Sequence, residues 1–436
     1  MHKKETMPEI PAKTTYLTLF LCWLGIFAEG YDVGVMGAIL PSLSVDAAWN
    51  LTPLQLGALG SYTIVGMLIG GLVIGTISDV HGRKPMFIAC LTMFTLSMAS
   101  VAWSPTPTWF AVSRFLGGLG LGGIIPIAAA LTTEYSPASR KSFNYGLMYS
   151  GYSLGILVAA LVAKGMLPIY GWRGVVAVGI FPLTFVPVII WLLPESIEFL
   201  MAKGLHQRAR ALASRLGIDA SHGKAAKASH ESGWRMGVNE IFAKRNIFST
   251  ACFWTALFMG LLLVYGLTQW LPQIMRKSGY DLGDSLSFLA VFSFTSAIGG
   301  IMLGRIADAL GVRTVVALSY LLGAAGIAAL AFEGSLWTNY ALVAVAGFGS
   351  VSASLILTAY LANYVAPFAR ATATGWALSF ARIGALCGPL LGGFIASLSV
   401  GSQWNFYGFS LAALIAAIAV FLIPAQQSAR ARANPQ

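Results

Sequence analysis

Gly75-Thr76-Ile77-Ser78-Asp79-Val80-His81-Gly82-Arg83-Lys84 recurs 229 residues later as Gly304-Arg305-Ile306-Ala307-Asp308-Ala309-Leu310-Gly311-Val312-Arg313, with glycine, aspartate and glycine in the same places. Arg140 and Arg370 correspond at an offset of 230, and Gly155 and Gly384 again at 229. Three registrations at nearly one offset describe a chain of two like halves. Each copy is bracketed by long apolar runs, so what repeats is a short polar turn between two membrane-length segments. Parallel repeats of this kind predict two helix bundles related by an axis along the membrane normal, with the substrate between them near the midplane.

The rest of the chain agrees. Of 436 residues, 57% are hydrophobic and 10% charged, with a mean hydropathy of +0.75, whereas a soluble domain is about 25% charged. Apolar runs of spanning length fall at about 16–43, 54–78, 86–103, 108–132, 143–167, 172–193, 247–272, 284–306, 312–332, 337–363, 371–398 and 404–424. They are continuously apolar, which predicts twelve transmembrane helices and excludes a closed barrel of short alternating strands. The fold expected is an all-α polytopic membrane protein of two six-helix bundles, 16–193 and 247–424. A cytoplasmic N-terminus (1–15), a central loop (194–246) and a tail (425–436) complete it. The central loop carries nine Lys/Arg and is expected to lie as surface helices against the inner leaflet.

The net charge of +11 does not indicate nucleic acid. With both termini inside, 21 of the 27 Lys/Arg lie in cytoplasmic segments, which orients a multi-pass protein in the inner membrane. Lys164, Arg276 and Lys277 lie near outer ends and Arg173 opens the sixth run; Arg114 and Arg382 are left inside spans. Cys22, Cys90, Cys252 and Cys387 lack metal-type spacing and read as packing residues. The first run is too long and too acidic for a cleaved signal peptide and reads as an uncleaved span.

Charges at membrane depth mark function, because each must be neutralised, paired or faced with water. Glu29 and Asp32, in Phe27-Ala28-Glu29-Gly30-Tyr31-Asp32, share one helix face. They stand about 20 and 24 Å from the inner end at helical rise. Arg114 enters the fourth run at comparable depth and needs one of them as counter-charge. A pair that forms when the carboxylate is ionised and parts when it is protonated would couple protons to the packing of the bundles; a static structural pair is the alternative. Arg382, near the midplane of the eleventh run with no acid on the same stretch, is the substrate candidate, since a guanidinium fork matches a carboxylate. Its alternative is a cross-bundle pair with a first-span acid. Tyr31, Tyr265, Trp270, Tyr360, Trp376 and Phe380 are candidates to flank a ring, and Gln269 and Asn363 to read its hydroxyls.

The two Gly-Asp-Gly turns, Arg114-Phe-Leu-Gly-Gly-Leu-Gly-Leu-Gly-Gly123 and Leu193-Pro194-Glu195-Ser196 together resemble the major facilitator superfamily over nearly the whole chain. The first-span pattern of acid, glycine, aromatic and Asp, with Arg382, is similar to the aromatic acid:proton symporter family within it. That family usually has Asp at the first acid, where this chain has Glu29. The resemblance implies import of an aromatic carboxylic acid of benzoate or hydroxybenzoate type by proton symport through alternating access, serving aromatic catabolism. The alternative is a proton-coupled exporter of drugs or metabolites.

On the cytoplasmic side, Gly82 and Gly311 suit tight turns. Asp79 and Asp308 are expected to accept from a neighbouring helix N-terminus or from Arg83, Arg140 or Arg370, with Glu134 joining Arg140 and Arg313 completing the second set. Glycines of the fourth and eleventh runs allow close helix contact and bending. No nucleophile–base pair, metal cluster, selectivity filter or charge ring is visible, so neither an enzyme nor a channel is indicated. The resemblance implies protons as the coupling species with no other cofactor expected, and as partners the aromatic carboxylate and the bilayer around a monomer.

Overall fold

The computed structural model describes residues 10–137, 140–218, 238–332, 334–365, 369–398 and 400–424. Lys3 and Lys4, Lys224, Lys227 and Arg235 of the central loop, and the tail arginines lie outside them. No strand occurs among the described residues. The helices are α1 Ala12–Leu43, α2 Pro53–His81, α3 Arg83–Ala102, α4 Pro107–Glu134, α5 Lys141–Val178, α6 Val186–Leu192, α7 Ile197–Ala202 and α8 His206–Leu216. After the central loop come α9 Ile247–Lys277, α10 Leu282–Leu310, α11 Val312–Ala329, α12 Leu336–Tyr364, α13 Arg370–Ser397 and α14 Gln403–Leu422. They form two compact units divided in the central loop, with Thr52–Ala58 grouped in the second.

Eleven helical stretches are long and apolar enough to cross a membrane, counted over the described residues. One of them, Phe143–Leu192, holds both the fifth and the sixth expected runs. The break between those runs is one residue, Gly171, at φ 63° and ψ −173°. Only glycine takes such a conformation without strain. The sixth run is then interrupted by a 3₁₀ turn over Phe181–Phe185 before α6. Prolines at 182 and 187 open these two pieces, where their missing N–H groups cost no helical hydrogen bond.

Within the first unit, α1 packs on α5 and α4 on α2 and α3 through small residues. A Cβ on Gly30 would lie 2.0 Å from the Tyr152 carbonyl oxygen, and one on Gly155 2.2 Å from that of Phe27. Gly118 and Gly122 of α4 meet α2 in the same way, while Gly117 and Gly120 meet α3. The second unit repeats the arrangement: a Cβ on Gly384 of α13 would lie 2.1 Å from the Phe258 carbonyl oxygen of α9. Gly155 and Gly384, which correspond in sequence, therefore perform the same close approach in the two halves. Lipid tails offer no hydrophobic drive between spans, so backbone proximity of this kind supplies the packing. Large apolar side chains such as Leu72, Leu161, Trp191 and Leu318 are left exposed on the outer faces, as a bilayer solvent allows.

Candidate functional site

The charged centre of the first unit is built on the close contact of α1 and α5. Gly30 brings the acid-bearing stretch against Tyr152, and the Tyr31 hydroxyl donates to the Val175 carbonyl at 2.8 Å, beyond the Gly171 break. On either side of these two ties, Glu29 and Asp32 are held with 0% and 1% exposure. Arg114, two turns into α4, donates from Nη1 to Asp32 Oδ1. Asp32 is thus the acid that Arg114 meets. Asp32 Oδ2 and Arg114 Nε have no hydrogen-bond partner among the described residues. The contact is single-pronged where a guanidinium can offer a two-pronged fork.

The second unit distributes the expected pocket residues differently. Arg382 is half-buried on α13, and Gln269 is buried on α9. Trp270 Nε1 donates to the Pro389 carbonyl at 2.8 Å, and its ring occupies the space that a Cβ on Gly392 would need. Tyr31 and Trp270, expected beside a ligand, are both buried with their polar ends committed to backbone carbonyls; both are corrected to packing residues. Tyr360 packs between Phe253 and Tyr364 at 5.2 and 5.9 Å between ring centroids. Trp376 stays exposed and stacks at 6.4 Å on Trp254, which also stacks on Phe380 at 5.1 Å. Trp254 was not among the expected residues. Its signal in the sequence is Trp254-x-x-x-Phe258, which repeats Trp23-x-x-x-Phe27 of the first span.

The turn at Gly82 is organised by an acid that sequence reasoning assigned no role. Gly82 has φ +106°, and a Cβ there would lie 2.5 Å from Glu195 Oε2. Glu195 Oε1 accepts from the backbone N–H groups of Arg83 at 2.9 Å, Lys84 at 3.1 Å and Ser196 at 2.8 Å. It supplies the negative charge that the start of α3 lacks, since α3 opens on two cations. Glu134 accepts from Ser196 Oγ at 2.6 Å and the Glu198 N–H at 3.0 Å, and pairs with Arg83 at 3.5 Å. Tyr135 donates to the Glu195 carbonyl; burial, reinforced by the Glu134 and Glu195 charges, raises its phenol above the ordinary value and keeps it a donor.

Two expectations are therefore corrected. The acid at the helix N-terminus is Glu195, while Asp79 is exposed and no described Lys or Arg comes within ion-pair distance of it. Glu134 meets Arg83 and the segment after α6, while Arg140 is exposed at the start of α5. In the second copy, Arg313 donates to the Phe421 carbonyl and lies 5.3 Å from that residue's ring centroid. It caps the end of α14, where a cation complements the helix dipole. Asp308 and Arg370 are exposed.

Two halves built on the same glycine contacts, each with a Gly-Asp-Gly turn, and a buried Asp–Arg pair are features that comparison with known proteins can place. The family model described as Major Facilitator Superfamily matches residues 22–302 and 285–436. The chain belongs to the major facilitator superfamily. Relatives include the benzoate transport protein of Acinetobacter baylyi, 36% identical over 93% of this chain and 88% of that protein. The gallate transporter of Pseudomonas putida is 34% identical over 96% and 93%. These place the chain in the superfamily's aromatic acid transporter family, the one its motifs resemble; it is a multi-pass membrane transporter and not an enzyme. Among solved structures, the inward-open xylose transporter XylE of E. coli matches with a TM-score of 0.75 over 95% of this chain and 98% of that one. At 15% identity that likeness speaks to the fold alone.

Proposed function

We propose that this transporter imports an aromatic monocarboxylate of benzoate or hydroxybenzoate type together with protons, by alternating access, across the inner membrane with both termini in the cytoplasm. The observation that carries the coupling is the buried Asp32–Arg114 contact beside Glu29. Both members of the pair are buried, and a low-dielectric site penalises charge that is not fully compensated, which makes the pair sensitive to a proton. Protonation of Asp32 weakens its hold on Arg114, so proton occupancy biases one packing of α1 against α4 over another. The substrate class follows the relatives, which are named for benzoate and gallate. Arg382 is the residue proposed to receive the carboxylate, with Tyr360 and Trp376 as candidates to flank its ring and Gln269 to read a ring hydroxyl. Asp79, Arg83, Glu134, Arg140, Asp308, Arg313 and Arg370, with Gly82, are proposed to act at the cytoplasmic gate. The orientation is supported by the excess of Lys and Arg in the segments read as cytoplasmic.

The test is uptake of radiolabelled aromatic monocarboxylates into proteoliposomes, comparing the parent with Arg382→Ala. The expected result is saturable uptake of at least one such acid by the parent and loss of that uptake in a variant that still folds. Uptake of none of them, or a variant indistinguishable from the parent, contradicts the substrate assignment.

A further inference from the structure

A cleft of about 660 Å³ opens in the first unit where α2 ends, between that helix and the short helices α7 and α8. Its wall is apolar, with Phe199, Leu205 and Leu212, and its rim carries His81, Lys203 and Arg208. The size is that of a small-molecule site. One acid, Glu195, also lines it. That carboxylate accepts from three backbone N–H groups, two of them at the start of α3, and against its single charge Lys203 and Arg208 leave the cleft net positive. Lys203 and Arg208 are exposed, and no described carboxylate pairs with either. The positive field extends along α8, which buries Ala209 and Ala213 and keeps Arg208, Arg210 and Arg215 outward. Arg215 is within electrostatic reach of Lys84 at the start of α3.

Depth decides what such a cleft takes. α2 is a spanning helix that ends at His81, so the cleft lies at the boundary where hydrocarbon gives way to head groups. Val80 and Leu205 are exposed there at 56% and 39%. A soluble anion would use the cations and leave this apolar surface bare. A lipid with a negative head group uses both at once.

We infer that the cleft is a binding site for an anionic phospholipid, whose phosphate pairs with Lys203 and Arg208 and whose first acyl carbons cover Val80 and Leu205. The site adjoins the Gly82 turn through Glu195 and does not depend on which substrate is carried. It ties α7 and α8, the start of the central loop, to the end of α2 through a lipid.

The experiment is native mass spectrometry of the purified full chain exchanged into phosphatidylcholine with added phosphatidylglycerol. The parent is expected to retain phosphatidylglycerol in preference to phosphatidylcholine. Lys203→Gln combined with Arg208→Gln should retain at least about tenfold less, since each basic side chain near an anionic surface contributes roughly 1 kcal/mol, and Lys277→Gln in the second unit should match the parent. A parallel arm uses the parent alone: phosphatidylglycerol should raise its unfolding temperature in detergent, and glycerol 3-phosphate at the same concentration should not. Equal retention of the two lipids by the parent overturns the proposal, as does a double variant that keeps its phosphatidylglycerol. Stabilisation by glycerol 3-phosphate equal to that by the lipid also overturns it, and makes the cleft a site for soluble phosphates.

Discussion

Arg114 Nη1 on α4 donates to Asp32 Oδ1 on α1, and the second oxygen of that carboxylate has no hydrogen-bond partner among the described residues. Both side chains are at least 96% buried. A half-satisfied ion pair in such a place is costly to keep and easily altered by a proton, which suits a switch better than a brace.

Removing one member should therefore harm more than neutralising both. Arg114→Leu leaves an uncompensated carboxylate and should cost about 3–5 kcal/mol, whereas Asp32→Asn with Arg114→Leu should recover most of that loss. Unfolding temperatures of the parent, both single variants and the double variant in one detergent check this; additive losses would mean that the pair is not coupled.

The glycine contacts separate by what stands opposite them. Gly30→Ala must displace the Tyr152 carbonyl, and Gly384→Ala that of Phe258, so each should destabilise by about 1–3 kcal/mol. A Cβ on Gly304 meets nothing within 4 Å; Gly304→Ala should be neutral or stabilise by up to about 1 kcal/mol, because glycine is the poorer helix residue. The folded fraction after heating distinguishes the three.

At the Gly82 turn, the structure ranks the acids. Glu195→Gln loses a charged acceptor for three N–H groups and should cost about 1–3 kcal/mol, while Asp79→Asn, on an exposed side chain, should change stability by less than about 0.5 kcal/mol. If Asp79→Asn instead unfolds the protein as Glu195→Gln does, the assignment of the helix cap to Glu195 fails.

Trp270 and Tyr31 should behave as packing residues. Trp270→Phe and Tyr31→Phe each remove a hydrogen bond to a backbone carbonyl, for a loss of roughly 0.5–1.5 kcal/mol. Their KM for an aromatic acid should stay within about twofold of the parent's, since uniform binding contacts are unchanged. A tenfold rise in KM with stability unchanged would return them to the pocket.

How much of this was legible beforehand differs by residue. The repeat and the candidates Glu29, Asp32, Arg114 and Arg382 stand out because charge inside an apolar run is costly and rare. The choice between Glu29 and Asp32 as partner of Arg114 was not legible, since a three-residue spacing puts both on one face. The break between the fifth and sixth spans was expected near its true place, but its reduction to Gly171 depends on a backbone angle. Glu195 was missed for a tertiary reason: it lies 112 residues along the chain from Arg83, whose N–H it accepts, while Asp79 lay four residues away and looked the natural cap. Buried aromatics carry no mark in sequence of whether a ring meets a ligand or a neighbouring helix. Tyr31 and Trp270 were separable only through the carbonyls they bond.

The most direct measurement of proton coupling at the Asp32–Arg114 pair is accumulation of radiolabelled benzoate in proteoliposomes under an imposed inward proton gradient, comparing the parent with Asp32→Asn. The parent should concentrate the label and lose it when a protonophore is added, while Asp32→Asn should exchange internal for external benzoate without concentrating it. A variant that accumulates benzoate as the parent does, or a parent whose uptake ignores the gradient, would contradict the proposal.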